Sequence, residues 1–221
     1  VVPLMCGRIA NTLPHDAVAK LFDAVPANAL PQLPDYNICP TQDVAVVTQE
    51  GGRRYRPMRW GFLPHWYKSP TDGPLLINAR AETVAEKPAF RKAVRERRCL
   101  VPCSGFYEWY REGGEKLPYY FHRADGTPLV MAGVWREWGE DALPTFAVLT
   151  TEANALMAPI HNRIPVVIER EHWGKWLGEE GHGAAVLMRA PEDDVLAFHR
   201  VDKAVNSNRA EGPELIEPVA A

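Results

Sequence analysis

From residue 43 onward the chain is a succession of short β-branched and aromatic runs separated by glycine-containing turns, and this pattern limits its fold more than any other feature. Residues 44–48 form a β-branched run, Gly51-Gly52 supply a turn, and 55–60 read as the hairpin partner. Further strands are predicted at 99–102, 106–111, 119–122, 129–138, 145–151 and 163–168, punctuated by Gly113-Gly114 and Asp125-Gly126. Helical spacing is confined to short stretches. In 15–25, Ala17, Val18, Leu21, Phe22 and Val25 recur at three- and four-residue intervals behind Pro14; 81–86, 89–97, 152–157 and 171–177 are similar. Four prolines make 26–40 read as irregular chain, and the tail from Gly183 mixes a short strand with proline-containing loops. Strands outnumber helices and do not alternate with them. The predicted fold class is α+β, a largely antiparallel, barrel-like sheet flanked by short helices.

A chain of 221 residues, 46% hydrophobic and 24% charged, suffices to close one core. No repeat or linker divides it, so residues 6–221 are read as one domain, with 1–5 set apart as an N-terminal extension. No apolar run is long enough to span a membrane, and 1–5 is too short and uncharged for a signal peptide. A cytoplasmic monomer is expected. The net charge of −3 argues against coating nucleic acid by bulk attraction, although cations cluster at Arg53, Arg54, Arg56 and Arg59 and again at Arg91, Lys92, Arg95, Arg97 and Arg98. The second cluster reads most simply as a solvated helix face. Cys6, Cys39, Cys99 and Cys103 are expected as reduced thiols; Cys99-x3-Cys103 is looser than zinc-ligand spacing, so neither metal nor cofactor is expected.

Four segments hold residues suited to chemistry. Cys6 follows Met5 and precedes Gly7-Arg8; without the residues before it, Cys6 would present an α-amine and a thiol together, with ordinary pKa values of about 8 and 8.5. For an arbitrary cysteine, burial as a small hydrophobe is the commoner state. Asn78 and Arg80 lie two apart where a strand meets a helix, pointing the same way on extended chain; an N-cap role for Asn78 competes with a functional one. Glu108 sits among Phe106, Tyr107, Trp109 and Tyr110, where burial would raise its pKa and let it donate as well as accept protons. His161 and Arg163 are spaced like Asn78 and Arg80 as the chain enters a strand. Trp60, Trp66 and Trp109 offer rings for base stacking, worth about 1–3 kcal/mol per base, with core packing as the alternative for each.

Together these segments resemble the SOS response-associated peptidase (SRAP) family, whose members trap abasic sites in single-stranded DNA. The resemblance runs through Cys6-Gly7-Arg8, Tyr36-Asn37-Ile38-Cys39-Pro40-Thr41, Arg59-Trp60-Gly61, Asn78-Ala79-Arg80-Ala81-Glu82-Thr83, Gly105-Phe106-Tyr107-Glu108-Trp109, Leu149-Thr150-Thr151-Glu152-Ala153-Asn154 and His161-x-Arg163-x-Pro165. It implies that the Cys6 amine forms a Schiff base with the ring-opened sugar and the thiol closes a thiazolidine. Asn78, Glu108 and His161 would be the other catalytic groups. Arg8, Arg80 and Arg163 would contact phosphates, Thr151 would be a further DNA-binding residue, and Trp60, Trp66 and Trp109 would stack on bases or wedge between them. The chain departs from the family pattern in carrying residues 1–4 before Met5, in Ile164 where methionine is usual, and in Cys39 where alanine is common. The first departure is resolved either by self-cleavage after Met5 or by 1–4 being an appended remnant. Two other classes compete: a cysteine hydrolase built on Cys6, His161 and Asn78 or Glu108, and a non-covalent single-strand binding module.

Overall fold

Alternation of side chains along the strands sorts the apolar residues into two faces, and those faces build the molecule. The computed structural model describes residues 5–220; of the expected extension at 1–5, residues 1–4 lie outside the described residues. The elements in chain order are β1 (Ile9–Asn11), α1 (His15–Leu21), β2 (Val25–Pro26), β3 (Asp35–Ile38), β4 (Asp43–Gln49), β5 (Arg53–Trp60), β6 (Asn78–Arg80) and α2 (Arg91–Glu96). There follow β7 (Arg98–Cys103), β8 (Gly105–Glu112), β9 (Glu115–Arg123), β10 (Leu129–Trp138), β11 (Leu143–Glu152), β12 (Arg163–Pro165), α3 (Trp173–Trp176) and β13 (Leu196–Arg200).

Strands β11, β10, β7, β4 and β5 are neighbours in that order, and β5 pairs back onto β11 through Thr145↔Arg59 and Phe146↔Trp60, closing a five-stranded barrel. Ala45, Val47, Leu100, Val130, Ala132, Ala147 and Leu149 share a cluster with Phe22, Phe90, Trp173 and Trp176 of the helical segments. That cluster is therefore the outer face of the barrel. The alternate residues, Val44, Val46, Met58, Trp60, Val101, Met131, Phe146 and Val148, fill the interior. A second sheet, ordered β13-β9-β8-β1-β3, adds Ile9, Phe106 and Phe121 to the interior cluster. The result is the expected α+β, mainly antiparallel arrangement. Among the described residues, no helix is long and apolar enough to cross a membrane.

Local departures from the sequence reading have local causes. The proline-rich stretch contains β3, which pairs only with β1 at the sheet edge, where the preceding Pro34 removes no ladder bond. The two- and three-residue strands β1, β2 and β6 are too short for periodicity to reveal. Residues 81–86 make turns, not a helix, stopped by Pro88. The expected helix at 152–157 is a single turn, because the Asn154 side chain takes the Met157 N–H and donates to the Pro191 carbonyl. Ile164 is fully buried in the interior cluster.

At Gly105, β8 runs so close to β9 that a Cβ would overlap the Phe121 carbonyl oxygen and stand 2.5 Å from Tyr120 Cζ. Gly105→Ala is expected to cost about 3 kcal/mol by overpacking, seen as a lower urea midpoint at unchanged m-value.

Candidate active site

The site forms where β1 ends and β8 continues. Ile9 and Ala10 pair with Phe106 and Gly105, and the Tyr107 N–H donates to the Arg8 carbonyl; beyond that point the β1 edge of β8 has no strand partner among the described residues. There Cys6 turns into the left-handed region, at φ 47°, unusual for a residue with a Cβ. Glu108 lies two residues beyond Phe106 and projects from the same face of β8, toward the interior cluster that contains Cys6. The Cys6 N–H donates to Glu108 Oε2 at 3.0 Å, and the Trp109 N–H donates to Oε1 at 3.2 Å.

Burial dominates the electrostatics. Glu108 is 3% exposed, and desolvation, offset in part by those two N–H donors and Arg111, pushes its pKa up to about 7. Near neutrality the carboxyl is thus present in both forms. The Cys6 thiol is fully buried and its pKa is raised, by desolvation first and then by Glu108 and Cys103. Its sulfur lies 4.0 Å from Met131 Sδ, and Met5 is buried in the same cluster. With Met5 buried beside it, Cys6 has no exposed surface.

Glu108 and His161 line one cleft of about 150 Å³, together with Arg8, Trp109, Arg111, Lys116 and Asn206. The Arg163 N–H donates to His161 Nδ1 at 3.1 Å, which places the proton of the neutral imidazole on Nε2. Burial lowers the His161 pKa, with the Arg163 and Arg111 charges adding to the fall. At neutral pH His161 is therefore a neutral donor through Nε2. Asn78 belongs to strand β6, not to a helix cap, and pairs with Val148 of β11. Ala79 packs on the outer face, so Asn78 and Arg80 project the other way. Ile77, just before Asn78, lies against Gly7: its Cδ1 is 3.5 Å from where a Gly7 Cβ would stand. Asn78 Nδ2 is buried without a partner among the described residues, a donor suited to meet a bound group.

The residues expected to meet DNA divide. Trp60 is fully buried, stacked 6.4 Å from Phe146 in the barrel with its indole N–H donating to the Ile77 carbonyl, so the expectation of base stacking is corrected to core packing. Arg163 is buried too. It forks onto both Glu82 oxygens at 2.8 Å and onto the Thr150 carbonyl at 2.9 Å, so its charge is already paired and it supports His161 instead of standing free for a phosphate. The Thr151 hydroxyl donates to the same Glu82, whose pKa these donors, Arg163 first, hold at about 2. Arg8 bonds Asn37 Oδ1, the Val205 carbonyl and Asn208 Oδ1, each at 2.7 Å, and lies 5.3 Å over the Trp109 ring. Trp109 is half-buried at the cleft, its indole N–H bonded to Asn206 at 2.6 Å. Trp66, 47% exposed, and Arg80 lie at the surface, although neither lines the cleft.

Arg111, Lys116, Asn206 and Asn208 were missed in the sequence. Arg111 and Lys116 carry a signal once the hairpin register is known, since they stand directly opposite each other. Asn206 and Asn208 carry none, being brought to Trp109 and Arg8 by the fold of the C-terminal segment.

A family model described as SOS response associated peptidase (SRAP) matches residues 5–208. The chain belongs to this family. Among SRAP relatives, abasic site processing protein YoqW of Bacillus subtilis is 34% identical over 225 residues, covering 96% of this chain and 99% of YoqW. Abasic site processing protein YedK of Escherichia coli is 31% identical over 227 residues, covering 97% and 100%. A crystal structure of a protein from Bacteroides thetaiotaomicron superposes with a TM-score of 0.85 over 97% of this chain and 100% of that one; at 24% identity it shows the shared fold. The SRAP match begins at Met5, one residue before the cysteine that contacts Glu108.

Proposed function

We propose that this chain processes abasic sites in single-stranded DNA by covalent capture at Cys6, after release of the residues up to Met5. The observation that carries the reading is the contact between the Cys6 nitrogen and a carboxyl poised to gain or lose a proton near neutrality. The names of the SRAP relatives supply the substrate class.

In the release step, Cys6 Sγ adds to the Met5 carbonyl carbon and passes its proton to Glu108. The C–N bond breaks as Glu108 returns a proton to the leaving nitrogen, and water hydrolyses the thioester to a Met5 carboxylate and a free thiol. The left-handed conformation at Cys6 supports this step, because cleavage relieves strain of about 1–2 kcal/mol. Release also takes away Met5, a side chain buried in the same cluster as Cys6.

In the capture step, the Cys6 amine adds to the C1′ aldehyde of the ring-opened sugar to give a carbinolamine. Protonated Glu108 lets its hydroxyl depart as water, and the thiol adds to the imine carbon, its proton ending on nitrogen, to close the thiazolidine. His161 Nε2–H suits donation to the sugar ring oxygen as the ring opens, and Asn78 Nδ2 suits holding that oxygen or the amine. Trp109, with Arg80 and Trp66 on the surface, would hold the strand.

The test incubates abasic single-stranded DNA with the processed chain, with Cys6→Ala and with the unprocessed chain, followed by denaturing electrophoresis. A heat-stable crosslink is expected from the processed chain alone. Equal native-gel shifts from all three without a covalent species would replace this reading with a binding module. Turnover of a peptide by a chain with a blocked amine would replace it with a hydrolase.

A further inference from the structure

The hairpin that carries Glu108 ends in an arrangement that strand pairing disfavours. Arg111 of β8 and Lys116 of β9 stand directly opposite each other, where like charges repel. Both are exposed, and neither belongs to an ion pair among the described residues. The adjacent acids do not relieve them. Glu112 and Glu115 form the next cross-strand pair, whose side chains leave the opposite face, and Glu115 is taken by Lys203 at 3.1 Å. Arg111 and Lys116 nevertheless line the same cleft as Glu108 and His161, and the Arg111 charge reaches both.

We propose that Arg111 and Lys116 form a seat for one phosphodiester of a single strand, the phosphate adjoining the sugar that reacts at Cys6. The inference rests on the function proposed above and adds a binding site to it. A guanidinium takes two non-bridging phosphate oxygens in a fork, and an ammonium on the facing strand adds a point charge from the other side. A shared anion turns a mutual repulsion into two attractions, which gives a physical reason for the like-charged pair. The seat is specific to neither base nor lesion, because it contacts only backbone.

The test uses two separate readouts. The first is binding of a short undamaged oligodeoxynucleotide across a salt series. Arg111→Ala/Lys116→Ala is expected to weaken binding about ten-fold at low salt and to flatten the plot of log K against log salt by about 0.7, the counterion release from one single-strand phosphate. Lys20→Ala/Lys92→Ala removes the same charge from exposed positions on α1 and α2 and is expected to keep the wild-type slope. Both double variants should melt no lower than wild type, since the first loses a repulsive pair. A methylphosphonate beside the abasic sugar should weaken wild type and leave the Arg111→Ala/Lys116→Ala chain almost unaffected. An unchanged salt slope in that chain, or the same flattening in the helix control, overturns the seat. The second readout is crosslinking of the abasic strand by the processed wild type. Its absence overturns the proposed function, whereas the seat itself stands or falls on the undamaged strand.

Discussion

Glu108→Gln is expected to slow both release of the N-terminal residues and capture of an abasic strand by about two to four orders of magnitude, the usual contribution of a placed acid–base group. Glutamine keeps the volume and one acceptor for the Cys6 and Trp109 N–H groups but carries no transferable proton. The pH dependence identifies the cause. In the wild type the protonated fraction of Glu108 falls as pH rises through about 7, which limits capture on the alkaline side, while the α-amine becomes protonated below about 8 and limits the acid side. The variant should lose the Glu108-controlled limb in single-turnover crosslinking rates. Stability should move in the opposite sense. The folded carboxyl is raised to about 7 from an ordinary 4.5, so burial penalises the ionised form and the wild type loses about 3 kcal/mol as pH rises across that window. Glu108→Gln should remove this loss, which chemical denaturation at pH 4.5 and pH 8 measures. A variant with wild-type rates, or one that retains the loss, would remove Glu108 from the chemistry.

Trp60→Ala is expected to destabilise the protein by about 3–5 kcal/mol, because it empties the barrel interior and leaves the Ile77 carbonyl without its indole donor. For a chain of this length the melting temperature should fall by about 10 °C or more. Trp66→Ala should do the reverse: its ring is 47% exposed, so stability should change by less than about 1 kcal/mol while single-strand binding weakens by a few-fold to tens-fold, in line with the loss of one stacked base. Thermal melting and fluorescence anisotropy on the two variants decide the assignment. Weakened DNA binding by Trp60→Ala at unchanged stability would contradict the buried placement.

How much was legible follows from the length scale of each signal. The β4–β5 and β8–β9 hairpins have strands of seven to nine residues, long enough for the two-residue period and the Gly51-Gly52 and Gly113-Gly114 turns to declare them. β1, β3 and β6 have three or four residues and are strands only because another strand lies beside each. Among site residues, aromatic neighbours correctly foretold the burial and raised pKa of Glu108, since strand alternation puts a residue two from Phe106 on the same face. The same logic could not separate Trp60 from Trp66. Both precede or follow loop-forming glycine and proline, and only the closure of β5 onto β11 puts Trp60 inside a barrel. Sequence alone presents Arg163 as a phosphate contact because Glu82 lies far away in the chain; the pairing of β6 and β12 with β11 brings them together.

The residue types and their local order set the chemistry on offer: a cysteine that can become a terminal aminothiol, a carboxyl among aromatics, a histidine and an amide at strand ends. They also set an antiparallel α+β fold, because side-chain period and turn residues act over a few positions and need no distant partner. Tertiary structure decided the rest. It decided which nitrogen the carboxyl touches, which arginines are already paired, which tryptophan remains outside, and that two cations of one hairpin face each other beside the cleft. These outcomes depend on strand register and on the closure of a barrel, long-range pairings whose energies are shared among many residues and are written at no single position.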